Sequence, residues 1–216
     1  MISMDTTASS AQPQDTQGEA SAALAFDMAG VCKSFGPKMA LNNINFTVPK
    51  GSLTVILGPA GAGKTTTLRM AAGLDTPDTG SIALHGIDAA GLEPKDRDIS
   101  MIFDNLALYP NKTGFENIAS PLAIRGLPHQ EIATRVSAMA ETLHISHVLD
   151  RQPKTMSGGE RQRVALGRAL VRTRRLYLLD EPLSSLDAQL RIELRAELKR
   201  LQREHGYTFL MATPDF

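Results

Sequence analysis

The sequence predicts an α/β protein built on a parallel sheet, for three reasons. Short apolar runs typical of strands alternate with longer segments of helical periodicity from Ala25 onward. Several runs, among them 53–57 and 176–179, are apolar without alternation, which is typical of strands that helices cover on both faces. A glycine-rich turn at 58–65 joins the first of these runs to a helical segment, as in a β-α crossover unit.

The strands follow in chain order. The run 41–48 alternates, with Ile44, Phe46 and Val48 on one face, and a Pro49-Lys50-Gly51 turn leads from it into the apolar strand 53–57. This second strand is expected to be buried on both faces. Further strands are predicted at 99–103, 176–179 and 208–212, each flanked by helix-like segments.

Two helices are indicated by spacing. One has its apolar face at Ile132, Val136, Ala140 and Leu143; the other has its apolar face at Leu190, Leu194, Leu198 and Leu201 and ends at Gly206. Residues from about 105 to 160 carry helical pattern without a convincing strand, so we expect a helical subdomain inserted there.

Composition limits the classes of function. A chain of 216 residues with 42% hydrophobic residues can form one large domain. Lys+Arg and Asp+Glu both total 23, so no net charge favours nucleic acid or an anionic membrane. The single cysteine, Cys32, excludes a disulfide framework and a cysteine-based metal site, and no apolar run reaches the ~20 residues of a membrane span.

The N-terminal segment 1–24 predicts a disordered tail. It is rich in Ala, Ser, Thr and Gln, and the first basic residue of the chain is Lys33, whereas a signal or transit peptide carries positive charge early. With the cysteine usage, this favours a cytoplasmic protein.

The strongest motif is a phosphate loop. It fits the pattern G-x-x-x-x-G-K-[ST] and consists of Gly58, Pro59, Ala60, Gly61, Ala62, Gly63, Lys64 and Thr65. The next residue, Thr66, is a further candidate for nucleotide binding. Glycines let the backbone approach phosphate oxygens, Lys64 reaches the β- and γ-phosphates, and Thr65 offers a hydroxyl to Mg²⁺. The alternative is a glycine-rich turn with an incidental lysine, but such a turn would not explain why the motif lies directly between a predicted strand and a predicted helix.

A second motif lies at the end of the strand 176–179. The run continues into Asp180 and Glu181, and ligands of open α/β sheets bind at the carboxyl ends of the strands. Asp180 would hold Mg²⁺, and Glu181 would orient and deprotonate the attacking water. Solvated charges at a strand end are the alternative interpretation, but the phosphate loop favours the catalytic one.

The segment Ser157-Gly158-Gly159-Glu160 contains a capping box at the start of a helix. Two glycines in a first helical turn weaken the helix, and close approach of the backbone to a phosphate would explain them. A well-capped helix with no ligand is the alternative.

In combination these motifs resemble an ATP-binding cassette (ABC) subunit. The segment MSGGE at 156–160 corresponds to the family's LSGGQ signature, and LYLLDEP follows at 176–182. The family's D-loop is matched by Ser184, Ser185, Leu186 and Asp187. The resemblance covers 25–216 and implies a P-loop NTPase (RecA-like) core with an antiparallel β subdomain. Asn105-Leu106-Ala107-Leu108-Tyr109-Pro110, followed by Glu116-Asn117-Ile118, is similar to the importer branch that serves sugars, polyols, polyamines and some ions.

The resemblance implies roles and partners. ATP with Mg²⁺ would bind with Phe35 stacked on adenine, although a loop aromatic packed on the core is the alternative. Two cassettes would dimerise head to tail, so that Ser157 and Gly159 grip ATP held by the other subunit. The segment 104–116 would receive a transmembrane permease subunit at the cytoplasmic face of the inner membrane, and a solute-binding protein would take part indirectly. Sugars or polyols such as glycerol are favoured over polyamines and inorganic ions.

Three departures from the family pattern stand out. Asp104 occupies the position of a glutamine that touches Mg²⁺ and water, and it can still bind the metal but cannot donate a hydrogen bond. Pro214 replaces the histidine that contacts the γ-phosphate. Relatives continue beyond the position of Phe216 into a C-terminal regulatory domain, so a truncated cassette is expected. The first two changes favour a heterodimer with a different cassette over a homodimer.

Two other classes of function fit the sequence less well. Soluble cassette proteins of DNA repair or translation show a coiled-coil or zinc insertion, or two cassettes in one chain, and this sequence shows none; no nucleic-acid partner is expected. A GTPase would need Asn-Lys-x-Asp, but Asn111-Lys112-Thr113 is followed by Gly114, so this class is rejected.

Overall fold

The protein forms two sheets in a computed structural model that describes residues 24–183, 186 and 188–214. The predicted tail lies outside these residues except for Leu24, which begins the first strand, and so do Ser184, Ser185 and Asp187 of the D-loop match. The antiparallel sheet has the order β2-β1-β4-β5 and comprises β1 (Leu24–Phe35), β2 (Lys38–Pro49), β4 (Thr79–Leu84) and β5 (Ile87–Asp88). The parallel sheet has the order β3-β8-β7-β6 and comprises β3 (Leu53–Leu57), β6 (Ile99–Ile102), β7 (Leu176–Asp180) and β8 (Phe209–Thr213).

Five helices connect and cover these strands within the described part of the chain. They are α1 (Lys64–Ala72), α2 (Gly114–Ala123), α3 (His129–Thr142), α4 (Gly158–Leu170) and α5 (Ala188–His205), with short 3₁₀ turns at Pro94–Asp96, Ser146–Val148 and Pro153–Thr155. Between β6 and β7 the described chain contains helices and turns but no strand, as the sequence predicts. No helix in the described ranges is long and apolar enough to cross a membrane.

Both predicted helical faces are confirmed. Four buried side chains hold α3 and the residue after it in the core, namely Ile132, Val136, Ala140 and Leu143. On α5, Leu194, Leu198 and Leu201 are buried, and Leu190 packs half-buried beside them. Gly206, with φ +65°, ends α5 in the left-handed conformation that glycine adopts without strain.

The parallel sheet separates two hydrophobic cores. Tyr177 and Leu179 of β7 point into a core shared with α2, α3, α4 and α5. Leu176 and Leu178 of the same strand point into a second core, which α1 and the antiparallel sheet complete. Successive side chains of β7 thus enter the two cores in turn. Because both faces of the strand are covered, the β7 run is apolar throughout.

The expectation that 53–57 is buried on both faces is wrong for β3. Within the described chain this strand lies at the edge of the parallel sheet, and its first four residues are only partly buried. Leu57 is 59% exposed at the end that enters the glycine-rich loop. The continuous apolar run is also found on an edge strand, so the pattern alone did not give the strand's position.

Candidate nucleotide site

The glycine-rich loop 58–63 lies between β3 and α1, at the carboxyl ends of the parallel strands. Gly63 is the N-cap residue of α1 and has φ +86°. A Cβ at this position would lie 2.6 Å from Cδ2 of Leu41 and 2.7 Å from the carbonyl oxygen of Ala40. Glycine is therefore required both by the positive φ and by the lack of space for a Cβ. The contacts with β2 hold the loop close to the start of α1.

Lys64 is held inside this loop with only 5% of its surface exposed. Its ammonium donates to the carbonyl oxygens of Gly58, at 2.8 Å, and Pro59, at 3.1 Å. Oε1 of Glu181 lies 3.6 Å from the same nitrogen. One buried cation is thus surrounded by oxygen atoms from the loop and from the strand-end motif.

The two predicted motifs meet at Thr65 and Asp180. The hydroxyl of Thr65 donates to Oδ1 of Asp180 over 3.0 Å, although the residues are 115 positions apart. Asp180 is only 4% exposed. Burial raises the pKa of its carboxyl, the hydrogen bond from Thr65 opposes that rise, and the charges of Asp104 and Glu181 add to it.

Glu181 has φ +46°, a left-handed backbone conformation that is strained for a residue with a side chain. Its backbone N–H donates to the carbonyl oxygen of Ala212 on β8 over 2.9 Å, which holds the chain in this turn. The turn directs the Glu181 side chain toward the glycine-rich loop rather than along the strand.

Asp104 follows β6, the neighbour of β7, and is exposed. Its carboxylate accepts from the N–H of Asn105 at 2.8 Å, and its negative charge acts on Asp180. Pro214 directly follows β8 and is exposed as well. Asp104 and Pro214 therefore both lie just beyond the carboxyl ends of strands of the parallel sheet.

A cavity of about 340 Å³ opens over the loop. Its lining consists of Phe35, Lys38, Ala40, Ala60, Gly61, Gly63, Lys64, Thr65, Thr66 and Glu181. Phe35 is 47% exposed, with the ammonium of Lys33 5.4 Å from the centroid of its ring, so it is not packed into the core. Lys38 and Ala40 were not predicted from the sequence, because nothing in their spacing marks a β2 residue as part of the lining.

The glycines at 158–159 do not line this cavity. Ser157 is the N-cap of α4: its Oγ accepts from the N–H of Glu160 at 3.2 Å, and Oε2 of Glu160 accepts from the N–H of Ser157 at 2.6 Å. This capping box is confirmed. A Cβ on Gly159 would lie 3.1 Å from Leu190 on α5, closer than most Cβ atoms approach a neighbour, whereas Gly158 has ordinary space.

The segment 104–116 forms one wall of a second cavity of about 340 Å³, between α2, α4 and β6. Leu106 and Ala107 both have positive φ, and the guanidinium of Arg168 donates to both of their carbonyl oxygens over 2.7 Å. Arg168 also lies over the ring of Tyr109, which is 44% exposed. Sequence reasoning missed Arg168, since basic residues on a helix are usually solvated.

Comparison with known proteins gives a consistent picture. A family model described as ABC transporter matches residues 41–184. The trehalose/maltose import ATP-binding protein MalK of Thermococcus litoralis is 49% identical over 194 residues, which cover 87% of this chain and 52% of that protein. The sn-glycerol-3-phosphate import ATP-binding protein UgpC 1 of Rhizobium etli is 44% identical over 191 residues, covering 88% of this chain and 55% of that protein.

The chain thus spans about half the length of the curated relatives it matches. Among solved structures, it resembles a dimeric, post-hydrolysis state of the ATP-binding cassette MJ0796 bound to ADP and Pi. That likeness has a TM-score of 0.78 at 28% identity and covers 88% of both chains.

Proposed function

The chain belongs to the ABC transporter family, and from this premise we propose that it binds and hydrolyses ATP as the ATP-binding subunit of a solute importer. The observation that carries the proposal is the convergence of Lys64, Thr65, Asp180 and Glu181 on one glycine-rich loop. Two sequence motifs more than a hundred residues apart meet there through the 3.0 Å hydrogen bond from Thr65 to Asp180.

The loop residues bind the phosphates. Backbone N–H groups at the start of α1 and the positive end of its dipole attract an anion, and Gly61 and Gly63 keep the approach open. Lys64 exchanges its contacts with the Gly58 and Pro59 carbonyls for phosphate oxygens, which are stronger acceptors because they carry charge. Phe35, exposed at the rim of the cavity, stacks on the adenine.

Glu181 acts on the attacking water. Its side chain lies against the same cavity as Lys64, so a water beside the terminal phosphate is within its reach. The carboxylate orients that water and accepts its proton. The strained backbone at Glu181 fixes this direction in advance, which reduces the cost of positioning.

The donor set fits Mg²⁺, a hard cation that prefers oxygen ligands. The Thr65 hydroxyl and the Asp180 carboxylate are already adjacent, and Asp104 brings a further negative charge close to Asp180. Bound there, Mg²⁺ would neutralise phosphate charge. Its charge would also offset the repulsion of Asp180 by Asp104 and Glu181.

The residues at 157–160 serve the ATP of a second cassette. They lie apart from this chain's own cavity, yet Ser157 and the N-terminus of α4 form an anion-binding arrangement. A head-to-tail dimer uses both halves, and the solved structure with the same fold is described as dimeric. We assign 25–216 to the cassette and 105–160 to its helical subdomain.

The remaining partners follow from the importer role. The cavity between α2, α4 and the segment 104–116 receives a helix of a transmembrane permease subunit, which places the chain at the cytoplasmic face of the inner membrane. A solute-binding protein delivers the solute to that permease. The relatives' names refer to trehalose, maltose and glycerol-3-phosphate, and this supports a sugar or polyol as the solute.

The test is to purify the complex from its source organism through a tag on this chain. An integral membrane protein should copurify, and the complex should hydrolyse ATP in preference to GTP. Uptake of sugars and polyols, measured against polyamines and inorganic ions in a strain lacking the gene, identifies the solute class. Copurification with nucleic acid or ribosomes instead of a membrane protein would overturn the proposal.

A further inference from the structure

Glu160 stands where the family signature has glutamine, and both of its carboxylate oxygens are engaged. Oε2 accepts from the N–H of Ser157 at 2.6 Å. Oε1 lies 3.1 Å from Nε2 of His147 and 3.3 Å from Nη1 of Arg151. Only 20% of the side chain is exposed. The acidic group is therefore turned back against its own helix cap and two basic residues.

A carboxylate at this position has opposite effects on the helix and on a ligand. It stabilises the N-terminus of α4 by capping it and by interacting with the helix dipole. It also repels an anion approaching the same end of the helix. The pKa of Glu160 is lowered, first by the Ser157 N–H and then by His147 and Arg151, so the group carries its charge at neutral pH.

Arg151 is fixed in place by its backbone. Its N–H donates to the carbonyl oxygen of Val148 at 3.0 Å, and its own carbonyl accepts from the N–H of Gly114 at 2.9 Å. It is therefore tied both to the 3₁₀ turn Ser146–Val148 and to the first residue of α2. A guanidinium remains protonated at any physiological pH, so its compensation of Glu160 is permanent.

We propose that Arg151, assisted by His147, is a positioning residue that holds and neutralises Glu160, so that the N-terminus of α4 accepts the terminal phosphate of ATP held by a second cassette. The inference rests on the proposed function. It explains how an acidic residue can occupy the signature segment without preventing ATP from binding there through charge repulsion. ATP turnover should therefore depend on the summed charge of Arg151 and Glu160, and not on whether either residue is present.

The experiment compares Arg151→Gln, Glu160→Gln and the double variant in the complex purified through a tag on this chain. Arg151→Gln removes the fixed positive charge beside the carboxylate and should reduce ATP turnover roughly fivefold to tenfold. The double variant removes both charges and should return turnover to within about twofold of the wild type. Arg151→Lys should also retain most turnover. Lys154→Gln is the matched control: it removes one charge from the same segment, at an exposed residue with no described contact to Glu160.

A second measurement separates positioning from general damage. ATP binding to the isolated chain's own loop, measured by calorimetry, should be equal in all variants, because none of the three residues lines that cavity. If Arg151→Gln costs nothing, or if Glu160→Gln fails to rescue it, the inference is overturned. If the wild-type complex itself hydrolyses no ATP, the proposed function fails instead.

Discussion

The ammonium of Lys64 lies 3.6 Å from Oε1 of Glu181, while it donates to the Gly58 carbonyl at 2.8 Å. The lysine that we assign to the phosphates and the glutamate that we assign to water are thus in ionic contact across the cavity. Phosphate oxygens that bind Lys64 compete with this carboxylate. We therefore expect nucleotide binding to weaken the contact between Lys64 and Glu181.

Replacing Lys64 by alanine should weaken Mg-ATP binding. The substitution removes a buried charge-assisted contact, and such contacts contribute about 1.5–3 kcal/mol, or roughly tenfold to a hundredfold in affinity. Calorimetric titration of the purified chain measures the change. Lys95→Ala is the control, since Lys95 is exposed, does not line the cavity and forms an ion pair with Glu93. Equal affinity in wild type and Lys64→Ala would remove Lys64 from this role.

The isolated chain should hydrolyse ATP poorly. It lacks a partner's signature, Asp104 has no hydrogen to donate to a water, and Pro214 offers neither an imidazole nor a backbone donor. Asp104→Gln should raise turnover several-fold, because it restores a donor and removes a charge that acts on Asp180. Phosphate release at saturating Mg-ATP is the readout. Robust turnover by the unaltered chain, abolished by Glu181→Gln, would show that Asp104 and Pro214 are no impediment.

His85→Asn should stabilise the fold. His85 and Gly86 both have positive φ in the two-residue connection from β4 to β5, a conformation that asparagine tolerates better than histidine. Nε2 of His85 is also buried, with no hydrogen-bond partner in the part of the chain that the structure describes. Relief of the backbone strain and removal of the buried nitrogen should together add about 1 kcal/mol to the free energy of unfolding at neutral pH.

The gain from His85→Asn should grow in acid. Burial, followed by repulsion from Arg175 and Lys50, lowers the pKa of His85 in the folded chain. Below the ordinary histidine pKa of about 6.5 the unfolded chain takes up a proton that the folded chain resists, so the wild type loses stability as pH falls. Melting temperatures of both proteins at about pH 7.5 and about pH 5.5 provide the test. A constant difference would contradict the titration of His85.

Arg97→Met should destabilise the protein by about 3–5 kcal/mol. Arg97 is 7% exposed, and its guanidinium donates to four backbone carbonyl oxygens, those of Met70, Ala71, Ala89 and Leu92. Methionine fills similar volume but offers no donor to these carbonyls, of which those of Met70 and Ala89 keep a backbone N–H donor, from Gly73 and Leu92. Urea unfolding measures the loss. Arg203→Met, at an exposed arginine of α5, should change stability by less than about 0.5 kcal/mol.

Arg97 also shows where sequence reasoning ends. The phosphate loop and the strand-end carboxylates could be predicted because each motif is local and because parallel strands bring their carboxyl ends together. Nothing local marks Arg97, whose four acceptors come from α1 and from the chain after β5. The same applies to Arg168 and the Leu106 and Ala107 carbonyls: these contacts exist only once helices and loops are packed.

The edge position of β3 and the approach of Leu190 to Gly159 could not be predicted, for a related reason. An apolar run shows that a strand is covered, but not how many neighbours it has. A glycine in a helix is compatible with the close approach of a ligand or of a neighbouring helix, and the approach of Leu190 of α5 to Gly159 is seen only in the folded chain. The capping box at Ser157 was predictable because both of its bonds lie within four residues.

The physiological dimer should be asymmetric, and the placement of the altered residues carries this last prediction. Asp104 and Pro214 lie at the strand ends around this chain's own loop, and Asp104 acts on Asp180. The cap at Ser157, which would serve the partner's ATP, is intact. In the purified complex, Ser157→Arg should therefore nearly abolish ATP hydrolysis, because a bulky side chain blocks the catalytically complete site. Glu181→Gln should cost far less, since it alters a site that already turns over slowly. Equal losses from the two substitutions, or a homodimer of this chain in the native complex, would contradict the asymmetry.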